Sequence, residues 1–124
     1  MTLEELYQAI GGDYTRALKV LRVQKLVDKH IRKLPSNPVF SALEQAGETM
    51  DASALFENAH AIKGVSANLG LMNIWDLSSK LSEEFRPGNE RTMSDEQVKE
   101  LVSDICSQFH NAADKIAAYA ASAG

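Results

Sequence analysis

The sequence predicts an all-α protein: an antiparallel up-down four-helix bundle with short additional N-terminal helices. Three observations lead there. No segment alternates apolar and polar residues with period two over a convincing length, so no strands are expected. Four stretches, about 38–47, 51–69, 71–86 and 94–119, carry apolar residues at spacings of three and four, the pattern of a helix with one buried face. The connections between them are short, which favours antiparallel neighbours. A chain of 124 residues with 44% hydrophobic content suits a single domain, residues 1–124, with its own core.

The elements follow in order. Thr2-Leu-Glu-Glu5 has the form of a capping box, in which Thr2 bonds the N–H of Glu5 and the Glu5 side chain reaches back. Met1 directly before it favours a natural N-terminus and a free-standing chain, the alternative being a piece excised from a larger protein. The helix it starts should stop at Gly11-Gly12, and Asp13 should cap the next one. Ala17, Leu18, Leu21, Val23, Val27, Ile31 and Leu34 then give a helical spacing, with a break expected near Arg22 to Gln24. N-terminal helices thus occupy about 3–34, and Pro35 ends them.

Asn37-Pro38 is a helix start, with Asn as N-cap and Pro at the first helical position. Val39, Phe40, Leu43 and Ala46 give that helix its apolar side, and Gly47 is expected to close it. Asp51 caps the central helix, whose stripe is Leu55, Ala59, Ile62, Ser66 and Leu69. Gly70 separates it from a helix carrying Leu71, Ile74, Leu77, Ser78, Leu81 and Phe85, bordered by Trp75 and stopped by Pro87-Gly88. Ser94-Asp-Glu-Gln97 is a second capping box. The last helix carries Val98, Leu101, Val102, Ile105, Phe109, Ala112, Ile116 and Tyr119, and the tail from Ala120 is expected to fray.

Composition removes several functional classes. The net charge of −4 argues against non-specific nucleic-acid binding. No apolar run approaches the roughly 18 residues of a membrane span, and no signal peptide opens the chain. A single cysteine, Cys106, forbids a disulfide within the chain, which fits a cytoplasmic protein. Cys106 reads as a small buried hydrophobe, Trp75 as packing, and His30 and His110 as structural or solvated. Three scattered histidines and one cysteine do not make zinc spacing, so no metal is expected. One segment is strongly basic: Arg16, Lys19, Arg22, Lys25, Lys29, Arg32 and Lys33, opposed there only by Asp28. It reads as a solvated helix face, or alternatively as a surface for an acidic partner.

The chemistry concentrates in the central helix. His60, Lys63 and Gly64 fall within one turn and share a patch of helix surface. Glycine in a helix interior costs about 1 kcal/mol relative to alanine, so Gly64 needs a reason. At roughly 100° per residue, His60 lies at the margin of the apolar stripe and Gly64 further toward solvent. Neutral imidazole is a good nucleophile near neutral pH. A phosphoryl group taken up by His60 would bring concentrated negative charge, which Lys63 could offset. Gly64 leaves room for a partner's wall to approach the backbone. Phe56, Ser53 and Ala67 would complete a shallow docking patch for that partner.

The run Ala59-His-Ala-Ile-Lys-Gly-Val-Ser-Ala-Asn-Leu-Gly70 resembles the histidine-containing phosphotransfer (Hpt) domain family, whose signature is a helix bearing His-x-x-Lys-Gly followed by a glycine opening into the next helix. The resemblance continues more weakly through the next helix, and the four-helix pattern covers most of the rest. It implies a phosphorelay intermediate. His60 would accept phosphate on Nε2 from a phospho-aspartate or a kinase and pass it to a receiver-domain aspartate. Lys63 would stabilise the phosphorylated form, and Gly64 would admit the receiver. Many members place a Gln or Glu on the following helix near the histidine. The corresponding position here is Ser82, which is short for a direct hydrogen bond; Arg86, one turn on, is a candidate second cation. The implied partners are response-regulator receiver domains and a hybrid histidine kinase, with a monomer expected, no nucleic acid and no membrane. No cofactor belongs to the chain, since Mg²⁺ would be held by the receiver's carboxylates.

No G-x-x-x-x-G-K-[ST] run or Gly-rich lid is present, so the chain reads as a phosphoryl carrier, not an enzyme with its own ATP site. The alternative is a helical adaptor that binds a receiver or another acidic partner without phosphotransfer. A His-dependent hydrolase is disfavoured, because no carboxylate stands at a defined spacing to orient His60.

Overall fold

A computed structural model describes residues 1–123 of the chain. It contains seven α-helices and one 3₁₀ turn: α1 (Leu3–Ile10), α2 (Tyr14–Leu21), α3 (Gln24–Lys33), the 3₁₀ turn Leu34–Ser36, α4 (Val39–Thr49), α5 (Ala52–Leu69), α6 (Met72–Glu84) and α7 (Asp95–Ala123). Helices α4 to α7 form the bundle. Each packs on its neighbour in sequence and α7 closes the ring against α4, so α5–α6 and α4–α7 are opposite sides. No strand occurs among the described residues, and no helix there is long and apolar enough to cross a membrane.

The caps form as the residues dictate. Thr2 and Glu5 exchange both bonds of a capping box, and Ser94 and Gln97 do the same at the start of α7. Asp13 accepts from the Arg16 N–H at 3.0 Å. Asn37 accepts from Val39 N–H at 3.0 Å, but α4 starts one residue later than expected, with Pro38 in the N-cap position and Val39 the first helical residue. Asp51 caps α5.

The N-terminal helices cover the end of the bundle where α5 turns into α6. Tyr7 O–H donates to the Leu69 carbonyl at 2.8 Å, and Asp13 N–H donates to the Gly70 carbonyl at 2.8 Å. Gly70 ends α5 with φ 71°, and a Cβ there would stand 2.2 Å from the Asp13 carbonyl oxygen. Only glycine satisfies both conditions, so the turn that follows the site helix is also the seat of the α1–α2 connection. Leu6, Tyr7, Ala17, Val27 and Ile31 join the bundle residues in one core.

Several boundaries differ from those the periodicity predicts, for identifiable reasons. Helix α4 does not close at Gly47. It runs to Thr49, and Met50 takes the left-handed cap conformation at φ 53°. Gly47 is buried inside α4 against Val102, where a Cβ would lie 3.1 Å from a methyl carbon; it serves the α4–α7 approach. Helix α6 spans Met72–Glu84 instead of 71–86, because Phe85 has already left helical geometry. Helix α7 starts at Asp95 and continues through Ala123, so helical geometry extends past Ala120 to the last described residue, while Gly124 lies outside the described residues. The break in the 3–34 region falls where it is expected, at Arg22, whose φ of 77° and the Val23 N–H to Leu21 carbonyl bond make a tight turn that L-residues rarely adopt. A 3₁₀ turn holding Pro35 joins α3 to α4.

Candidate functional site

Helix α5 supplies the site. Leu55, Ala59, Ile62, Ser66 and Leu69 are buried, and that fixes the rotation of the helix. Its opposite face then presents Ser53, Phe56, His60, Lys63, Gly64 and Ala67 within an arc of roughly 100°, taking about 100° per residue. His60, Ser53 and Gly64 are exposed, while Phe56, Lys63 and Ala67 are half-buried. The structure therefore gathers these residues on one accessible surface of the α5–α6 side. His60 stands ten residues before the Gly70 cap, roughly 15 Å along the axis at 1.5 Å per residue.

The imidazole is oriented by its own helix. The Phe56 ring stacks on His60 with centroids 5.6 Å apart and planes 19° from parallel. That contact restricts the imidazole while leaving its outer side open. A Cβ added at Gly64 would meet nothing within 4 Å, so nothing in this fold requires glycine there. Lys63 has no carboxylate partner: the ion pairs among the described residues are Arg32–Asp28, Arg86–Glu83 and Arg91–Asp95. Its ammonium instead lies over the Trp75 ring of α6, 5.8 Å from the centroid. Sequence reasoning missed this contact by assigning Trp75 to packing. No local pattern encodes it, because the contact joins two helices across the Gly70 turn.

On α6, Trp75, Ser79 and Ser82 recur at spacings of four and three, hence on one side of the helix, and Arg86 lies beyond its end. Ser82 is 6% exposed, and its short side chain points within the packed layer. Arg86 is exposed and engaged, with Nη1 3.5 Å from Glu83 Oε1. The α6–α7 connection is held by Glu84, which accepts from the Thr92 hydroxyl and from the Thr92 and Met93 N–H groups. Partial burial raises its pKa, but these bonds, with Arg91 nearby, outweigh that and hold the carboxyl below the ordinary glutamate range.

The other polar residues stand apart. His30 and His110 are exposed, the latter tilted against Phe109. Cys106 is buried between α4 and α7, and burial, with the charge of Glu44 adding, pushes its thiol up to about 11. No group of histidine, cysteine and carboxylate side chains among the described residues is arranged to hold a metal. Clefts of about 490 Å³ between α4 and α7 and about 260 Å³ among α2, α3 and α5 are lined by other residues than His60. In the basic segment, Arg32 pairs with Asp28 and covers the Tyr119 ring, while Arg16, Lys19, Arg22, Lys25, Lys29 and Lys33 remain exposed.

An exposed imidazole with an uncommitted ammonium and an unobstructed backbone beside it suits exchange of an anionic group with another macromolecule. The model of the Hpt domain family matches residues 35–118. That span begins in the 3₁₀ turn and takes in α4, α5, α6 and most of α7. No curated protein and no solved structure gives a significant match to the chain.

Proposed function

Because the chain belongs to the Hpt domain family, whose members are helical phosphocarrier modules of two-component signalling, we propose that His60 carries a phosphoryl group between receiver-domain aspartates. The observation that carries this reading is the exposure of His60 on a face where Gly64 leaves the backbone bare and Lys63 lacks a carboxylate.

The geometry supports such a transfer. The lone pair of His60 Nε2 attacks the phosphorus of an aspartyl phosphate. The N–P bond forms as the acyl P–O bond breaks, and the electron pair returns to the receiver's carboxylate. Lys63 opposes the charge gathered on the phosphoryl oxygens. Phe56 holds the ring plane, and Ser53 and Ala67 keep the surrounding surface low enough for a receiver to seat. Arg86 can add a second cation by leaving Glu83, an exposed pair that holds it weakly; Ser82, being buried, supports the α5–α6 packing more than the phosphate. Mg²⁺ stays with the receiver's carboxylates. The partners are receivers and a hybrid histidine kinase, the protein is a cytoplasmic monomer of one domain, and it does not hydrolyse ATP.

The test is acid-labile labelling from phosphorylated receivers of the same genome. His60→Gln should abolish uptake and leave the helical circular-dichroism signal unchanged. Full labelling of that variant would defeat the assignment. Receiver binding that needs neither His60 nor transfer would favour an adaptor instead.

A further inference from the structure

The only tryptophan of the chain stands against the cation of the site. Trp75 is half-buried on α6, with Lys63 Nζ 5.8 Å from its ring centroid. One turn further along α6, Ser79 Oγ is buried and has no hydrogen-bond partner, so it does not hold the ammonium. No carboxylate holds it either. The indole face is the contact that α6 offers Lys63.

We propose that Trp75 is a positioning residue for Lys63: its ring holds the ammonium in the seam between α5 and α6 while His60 is bare, and yields it to the phosphoryl group once His60 is loaded. This rests on the phosphocarrier reading above. The physical reason lies in the strength of the contact. A lysine side chain is long and flexible, and ordering it at the moment of reaction opposes the transfer. An aromatic face attracts a cation through its quadrupole and narrows the range the ammonium explores. That attraction is weaker than charge-assisted hydrogen bonds to phosphoryl oxygens, so the cation departs when they appear. A carboxylate at position 75 would hold Lys63 more firmly and neutralise it. An aliphatic side chain would not hold it at all.

The experiment uses the full chain and phosphoramidate, a small donor that needs no docking surface. Its P–N bond breaks as the His60 N–P bond forms, and ammonia leaves with the electron pair. Before loading, the Lys63 ε-methylene protons should show an upfield ring-current shift in the NMR spectrum. Trp75→Leu should remove that shift and Trp75→Phe should retain most of it. Loading should slow about threefold in Trp75→Leu, the scale of one exposed cation–π contact, and recover in Trp75→Phe. On loading of the wild type, the shift should collapse and Trp75 emission should change, while emission of loaded Lys63→Met should not. An unshifted ε-methylene in the unloaded wild type, or a shift that survives stoichiometric loading, overturns the proposal. These wild-type readouts stand even if Trp75→Leu fails to fold. A wild type that shows the ring-current shift but takes no label on His60 sinks the phosphocarrier reading itself, and the hand-over with it.

Discussion

On the proposed function, Gly64 separates stability from transfer at the scale of a single residue. Nothing in the fold occupies the space where its side chain would be. Gly64→Ala should therefore stabilise α5 by roughly 0.5–1 kcal/mol, as expected for alanine in an exposed helix position. The same methyl stands where a receiver would approach. Transfer from a phosphorylated receiver should slow about tenfold, a barrier rise of about 1.4 kcal/mol, with phosphoramidate loading little changed. A more stable variant with undiminished receiver transfer would remove Gly64 from the docking surface. Lys63→Ala should slow both donors by roughly 10- to 100-fold, the value of a hydrogen bond to a charged group. Equal rates for variant and wild type in single-turnover labelling would take Lys63 out of the mechanism.

At the scale of elements, the site depends on two connections. The first is the α5–α6 turn. Gly70→Ala combines a left-handed backbone with a collision against the Asp13 carbonyl. The conformation alone should cost about 1–3 kcal/mol; an unchanged urea midpoint would mean that the Asp13–Gly70 contact does not form in solution. The second is the α6–α7 loop, pinned by Glu84. Its folded pKa lies below the ordinary glutamate value of 4.5. A depressed carboxylate contributes stability that is present above the unfolded pKa and lost as pH falls through the folded one. Wild type should therefore melt above Glu84→Gln at neutral pH, and the gap should close below about pH 4.5. A gap independent of pH would show that the charged bonds of Glu84 do not stabilise the loop.

For the whole molecule, the three N-terminal helices behave as part of the bundle and not as an appendage. Asp28 of α3 accepts from Tyr119 O–H near the end of α7 and pairs with Arg32. Partial burial raises the Asp28 carboxyl, and those two bonds together bring it below its ordinary value. Lys115 of α7 donates to the Ala9 carbonyl of α1 at 2.8 Å. Since the core includes residues of all seven helices, urea unfolding of the full chain should show one transition, coincident by circular dichroism and by Trp75 fluorescence. Removing residues 1–33 would strip Leu6, Tyr7, Val27 and Ile31 from that core and should lower the midpoint sharply. Two separated transitions in the full chain would contradict a shared core.

What depends on neighbours along the chain is legible in the residues alone. Apolar spacing placed the helices and turned His60 to an open flank, and Thr2, Asp13, Asn37, Asp51 and Ser94 marked the helix starts through bonds spanning two or three residues. Local periodicity carries that information because it repeats every turn. What depends on which surfaces meet becomes visible only in the packed fold. Gly47 looked like a helix stop and is a close contact to Val102; Trp75 looked like packing and lies under the Lys63 ammonium; Tyr119 looked like core and also binds Asp28. Each is set by a partner on another helix, at a distance in sequence that no local pattern encodes.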